Sequence, residues 1–231
     1  MRLRLYHHSD GARIAYREAG TGPPLALLHS ALLSHREFMP VVDELADRFR
    51  VVLPDLPLHG DSEDRPRHPY TLDWLADVMA GFAADVLGPR PAIGGHQLGA
   101  EVLLRAVAAG ALRPELGVKL SAARDPAARD LVRHALADAG GNANLARSWA
   151  RFARSWPPAG AQRDALDTLS RVRARTLLLW ADRDPAHPLE TAEQALDLLP
   201  DGQLRVLYGT GFLMAYDDPV GVARELAAFC V

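Results

Sequence analysis

The sequence predicts an α/β fold, a mostly parallel sheet flanked on both faces by helices. Three observations carry this expectation. Short apolar runs alternate with helical stretches along nearly the whole chain. Two of the runs, Leu25-Ala26-Leu27-Leu28 and Thr176-Leu177-Leu178-Leu179-Trp180, read as strands buried on both faces. Asp10-Gly11 is a strong turn signal and predicts an antiparallel hairpin between the first two strands.

Taken in order, eight strands are expected, over Leu3–His7, Ala12–Arg17, Leu25–His29, Arg50–Pro54, Pro91–Gly94, Gly117–Ser121, Arg175–Trp180 and Leu204–Leu207. Helical periodicity fits Arg36–Phe49, Leu72–Leu87, Leu98–Gly110, Leu189–Leu199 and Pro219–Phe229. In the last of these, Asp217-Asp218 supplies a cap and Pro219 stands at the first helical position. From Arg124 to Arg171 the chain turns Ala/Arg-rich and helical, broken at Gly140-Gly141 and Pro157-Pro158. This predicts a lid of about three helices, residues 124–170, inserted into a core of residues 1–123 and 171–231. In the lid, Trp149, Phe152 and Trp156 fall on one helical face, where they pack on the sheet and roof an apolar pocket.

Composition narrows the function. A net charge of −3 argues against a nucleic-acid or membrane-surface role. The single cysteine, Cys230, excludes an internal disulfide framework and a cysteine-based zinc site. The N-terminus has no apolar leader, and no run approaches the ~18 apolar residues of a membrane span, so a cytoplasmic protein is expected. No histidine pair has metal-motif spacing, and neither metal nor cofactor is expected. The partner expected is a small apolar or aromatic molecule.

Five segments, in order, then point to a family. They are His29-Ser30 at a strand end, Asp55-Leu56-Pro57-Leu58-His59-Gly60-Asp61-Ser62, Gly95-His96-Gln97-Leu98-Gly99, Trp180-Ala181-Asp182-Arg183-Asp184, and Gly209-Thr210-Gly211-Phe212 followed by Pro219. Together they resemble the α/β-hydrolase superfamily over nearly the full length, with the third segment at the place of the nucleophile elbow G-x-S-x-G. The resemblance implies a Ser-His-Asp triad, and here that triad is degenerate. Gln97 stands at the nucleophile, where a carboxamide forms no acyl-enzyme. Phe212 stands at the general base and moves no proton. Asp184 alone matches. The resemblance also implies an oxyanion hole from the backbone N–H groups of Ala31 and Leu98, at the N-terminus of the helix that follows the elbow. His29, Ser30 and His96 are expected to line the pocket beneath Trp149 and Trp156; His59 is read as a packing and loop-bonding residue.

Of 26 basic residues one, Lys119, is a lysine, and it falls in the strand after the elbow helix. A lysine buried there is pushed toward the neutral amine, which attacks a carbonyl to form a Schiff base. Three functional readings follow. The first is a lyase or aldolase using Lys119, Asp184 and the oxyanion donors; its pattern also suits an engineered retro-aldolase-like site. The second is a pseudohydrolase that binds a small apolar ligand. The third is a hydrolase with a relocated mechanism.

Overall fold

In the computed structural model of the chain, residues 1–65, 67–112, 142–155, 169–185 and 187–230 are described in full and residues 116–120 by their backbone. Eight strands pair in one sheet: β1 (Arg2–His7), β2 (Arg13–Ala19), β3 (Pro24–Leu28), β4 (Arg50–Pro54), β5 (Ala92–His96), β6 (Leu116–Leu120), β7 (Arg175–Ala181) and β8 (Gly202–Leu207). Their order is β1-β2-β4-β3-β5-β6-β7-β8. β2 runs antiparallel to both β1 and β4, and every pairing from β4 to β8 is parallel. The β1–β2 hairpin closes where His8 N–H donates to Ala12 O at 2.9 Å, with Gly11 at a φ of 90° that favours glycine.

The run Leu25–Leu28 explains why the sheet is covered twice. Ala26 and Leu28 join a core with Ile14, Ile93 and Phe82, while Leu25 and Leu27 join another with Leu177, Val222 and Phe229. Successive side chains on a strand point to opposite faces, so a continuously apolar strand demands a helix layer on each side.

Those layers are α1 (Val42–Leu45), α2 (Leu72–Phe82), α3 (Leu98–Ala108), α4 (Ala143–Ser155), α5 (Leu189–Leu198), α6 (Met214–Asp217) and α7 (Pro219–Phe229). Two expectations need correction. The helix expected over Arg36–Phe49 is a 3₁₀ helix, His35–Val41, continued by the single turn α1. Pro40 lies inside it and has no N–H for an α-helical ladder. The helix expected to reach Leu87 is α-helical to Phe82 and ends in a π turn, Ala83–Leu87, before Gly88 at φ 94°.

Of the expected lid, α4 is described; the remainder and Trp156 lie outside the described residues. Trp149 and Phe152 meet edge to face at 5.7 Å and pack against the α2–α3 side of the core. Polar ties hold α4 to the loop before α2: Ser148 Oγ donates to Asp64 at 2.8 Å, and Ser155 Oγ to Tyr70 O at 2.9 Å. Among the described residues, no helix is long and apolar enough to cross a membrane.

Candidate functional site

The site is built on the turn from β5 to α3. A Cβ on Gly95 would stand 2.4 Å from the backbone carbon of Gly99, and one on Gly99 would stand 2.3 Å from Leu28 O. Strand and helix therefore touch, and the chain reverses within one residue. That residue is Gln97, at φ 45° and ψ −102°, a conformation a non-glycine residue adopts only under constraint. Its side chain folds back over α3. Oε1 accepts from Leu98 N–H at 3.0 Å and from Ala31 N–H at 2.9 Å. Two backbone donors, from the loop after β3 and the start of α3, thus converge on one oxygen, and that oxygen belongs to the protein.

The loop carrying Ala31 is pinned to the elbow by Glu37. Its Oε2 accepts from Ser30 N–H at 2.7 Å and Ser30 Oγ–H at 3.0 Å, while its Oε1 meets His96 Nδ1. The other side of His96 faces Phe212, ring to ring at 4.7 Å. Phe212, the residue for which the sequence motifs imply a histidine base, packs with Leu33, Leu213 and Tyr216 in an apolar cluster.

Asp184 lies buried at the end of β7. His187 Nδ1 stands 2.5 Å from its Oδ2, with 25% of the imidazole exposed. Trp180 Nε1–H donates to His187 O at 2.7 Å, which holds the segment so that the ring meets the carboxylate. Lys119 pairs with Gly95 and Leu178 in the sheet; its side chain lies outside the described residues.

His29, Ser30 and His96 are enclosed in protein and are not in the walls of the cavity that His59 lines. His29 is spent on the loops it joins, its Nδ1 donating to Ser30 O at 2.8 Å and its Nε2 accepting from Leu56 N–H at 2.9 Å. The cavity, about 370 Å³, lies between the loop after β3, the loop after β4 and α4. Trp149 lines it, and so does His59. Burial pushes the His59 imidazole down from 6.5 to about 3, and burial likewise pushes His29 down. The sequence singled out His59 for packing and loop bonding, and its Nδ1 does meet Pro57 O; its place in a cavity wall depends on where α4 comes to rest.

One cluster of metal-ligating type occurs among the described residues: His35, Asp55 and Asp61. Arg17 reaches into it, donating to Asp61 Oδ2 at 2.6 Å and lying 3.9 Å from Asp55 Oδ2, so the chain supplies its own cation. Burial raises the Asp55 carboxyl, but hydrogen bonds and charge from His35 and His29 outweigh this and hold it below the usual range. The cluster locks the loop after β4 to the 3₁₀ helix.

Comparison with known proteins places this geometry. An uncharacterized protein of Mycobacterium tuberculosis is 26% identical over 258 aligned residues, covering 90% of this chain and 75% of the relative. A soluble epoxide hydrolase of Corynebacterium is 32% identical over 105 residues, 44% of this chain and 36% of that one. Among solved structures, a thermophilic esterase from Thermogutta terrifontis superposes with a TM-score of 0.79 at 20% identity, covering 100% of this chain and 98% of the esterase. Residues 25–225 match the alpha/beta hydrolase family, a stretch running from β3 into α7. With the whole parallel part of the sheet inside that match, this chain belongs to the alpha/beta hydrolase family.

Proposed function

We propose that this chain is a non-hydrolytic member of its family, a protein that binds a small apolar molecule without acyl transfer at the elbow. One observation carries the reading: the Gln97 carboxamide oxygen takes both backbone donors of the oxyanion site. A substrate carbonyl needs those same N–H groups as negative charge develops on its oxygen. Removing the competitor would not restore the chemistry, since a carboxamide is no nucleophile and Phe212 is no base. Relatives named as an esterase and an epoxide hydrolase share the fold, and fold alone does not transmit activity.

The test is direct. Incubated with a fluorophosphonate probe, the protein should remain unlabelled on the peptide holding Gln97, and p-nitrophenyl acetate should give no burst. Labelling of that peptide would overturn the reading.

A lysine-dependent lyase is the second reading. The pairing of Lys119 with Gly95, two residues before Gln97, favours it. Borohydride trapping with an aromatic aldehyde should mark the N-terminal amine alone. An adduct on Lys119 formed near neutral pH would move the lyase to first place.

A further inference from the structure

His59 poses a chemical problem that the elbow does not absorb. The residue is 4% exposed. Its Nδ1 lies 2.9 Å from Pro57 O, and a carbonyl accepts only, so the proton sits on Nδ1. Nε2 therefore carries a lone pair. That nitrogen is buried, and no donor among the described residues reaches it. Its neighbour His29, with rings 4.9 Å apart, has both nitrogens engaged. Buried acceptors are seldom left unmet without a reason.

The surroundings say what would meet it. The apolar part of the cavity wall is Leu32, Leu33, Leu58, Leu145 and Trp149. The Trp149 ring stands edge-on to the imidazole at 4.7 Å. Asp61 and Asp64 contribute carboxylates to the wall and Arg36 a guanidinium, so the wall has no excess of positive charge to draw an anion. A neutral imidazole offers a carboxylate no countercharge, yet it accepts well from a hydroxyl. A volume of about 370 Å³ suits a one-ring molecule, near the lower end of ordinary ligand cavities.

We infer that this cavity binds a small neutral alcohol or phenol, whose hydroxyl donates to His59 Nε2 while its hydrocarbon body lies against Trp149 and the leucines. The inference rests on the non-hydrolytic reading, in which such a molecule is a ligand and not a leaving group. Trp149 packs against the imidazole and lines the same cavity, so its fluorescence reports binding.

The full chain is titrated with phenol, anisole and benzoate by calorimetry, with tryptophan fluorescence followed in parallel. Phenol should saturate and bind about tenfold more tightly than anisole, which has the shape without the donor. Benzoate should not bind. His59→Phe keeps a ring and removes Nε2, so phenol affinity should fall to the level of anisole. Trp149→Phe should abolish the fluorescence response. If His59→Phe fails to fold, the wild-type ratio of phenol to anisole decides by itself. Equal binding of phenol and anisole, absence of saturation, or unchanged phenol binding in folded His59→Phe would each overturn the assignment. Phenyl acetate separates the two claims: steady release of phenol would sink the non-hydrolytic reading while leaving the binding site standing.

Discussion

Gln97 satisfies two backbone donors at the head of α3, and its worth to the fold follows from that. Gln97→Ala removes the acceptor shared by Ala31 and Leu98 and should cost about 1–2 kcal/mol in urea denaturation. Gln97→Glu keeps the shape and adds charge where the helix start favours an anion. Its carboxyl should titrate below the ordinary glutamate value, so its added stability is present above about pH 4.3 and lost as the pH falls further. Denaturation at pH 8 and pH 4 checks this; equal behaviour of Glu and Gln at both would exclude the geometry. His59 acts with the same sense for a different reason. Burial lowers its folded value from 6.5 to about 3, so below pH 6.5 the unfolded chain takes up a proton that the folded chain refuses. Its contribution is complete above pH 6.5 and falls by ~2 kcal/mol by pH 5. His59→Phe should flatten that part of the stability profile. None of this was visible in the sequence, which shows that position 97 holds a carboxamide but not where the side chain folds.

Among elements, the β5–α3 turn is a tight joint. Gly99→Ala would drive a methyl into Leu28 O, and a melting experiment should register a loss of about 1–3 kcal/mol. Repair of the family machinery depends on a second joint, the loop after β7. Gln97→Ser with Phe212→His restores the residue types of a triad, but Asp184 already meets His187. The double variant should therefore show weak esterase activity, and adding His187→Ala should raise it. Activity that falls on that addition would show that His187 does not compete for Asp184. Strands were the most legible elements. Arg50–Pro54 and the helix Pro219–Phe229 match their expected limits, because apolar period and an N1 proline act locally. Arg36–Phe49 failed where Pro40 removes a donor, and the π turn after Phe82 leaves the apolar pattern unchanged. His187 sits three residues from Asp184, yet Trp180 turns it inward, and that contact belongs to the tertiary fold.

For the molecule as a whole, a mostly parallel sheet covered on both faces was legible, because it follows from apolar runs with no polar side; the strand order was not, since those runs do not say which strands are neighbours. The resting state of the centre was not. Counting atoms outward from Cα, the Cγ of Gln97 stands where a serine would place its oxygen, and Cδ where the acyl carbon would be. Oε1 is then the carbonyl oxygen held by its two donors, and Nε2 the atom attached beyond the acyl carbon. The side chain is the skeleton of a carbamoylated serine, with the cleavable C–O bond exchanged for C–C. A serine hydrolase visits that shape for part of each turnover and leaves it when water arrives. On the proposed reading this chain is built into it, so any molecule that approaches the mouth meets the outline of an intermediate with no bond for water to cleave.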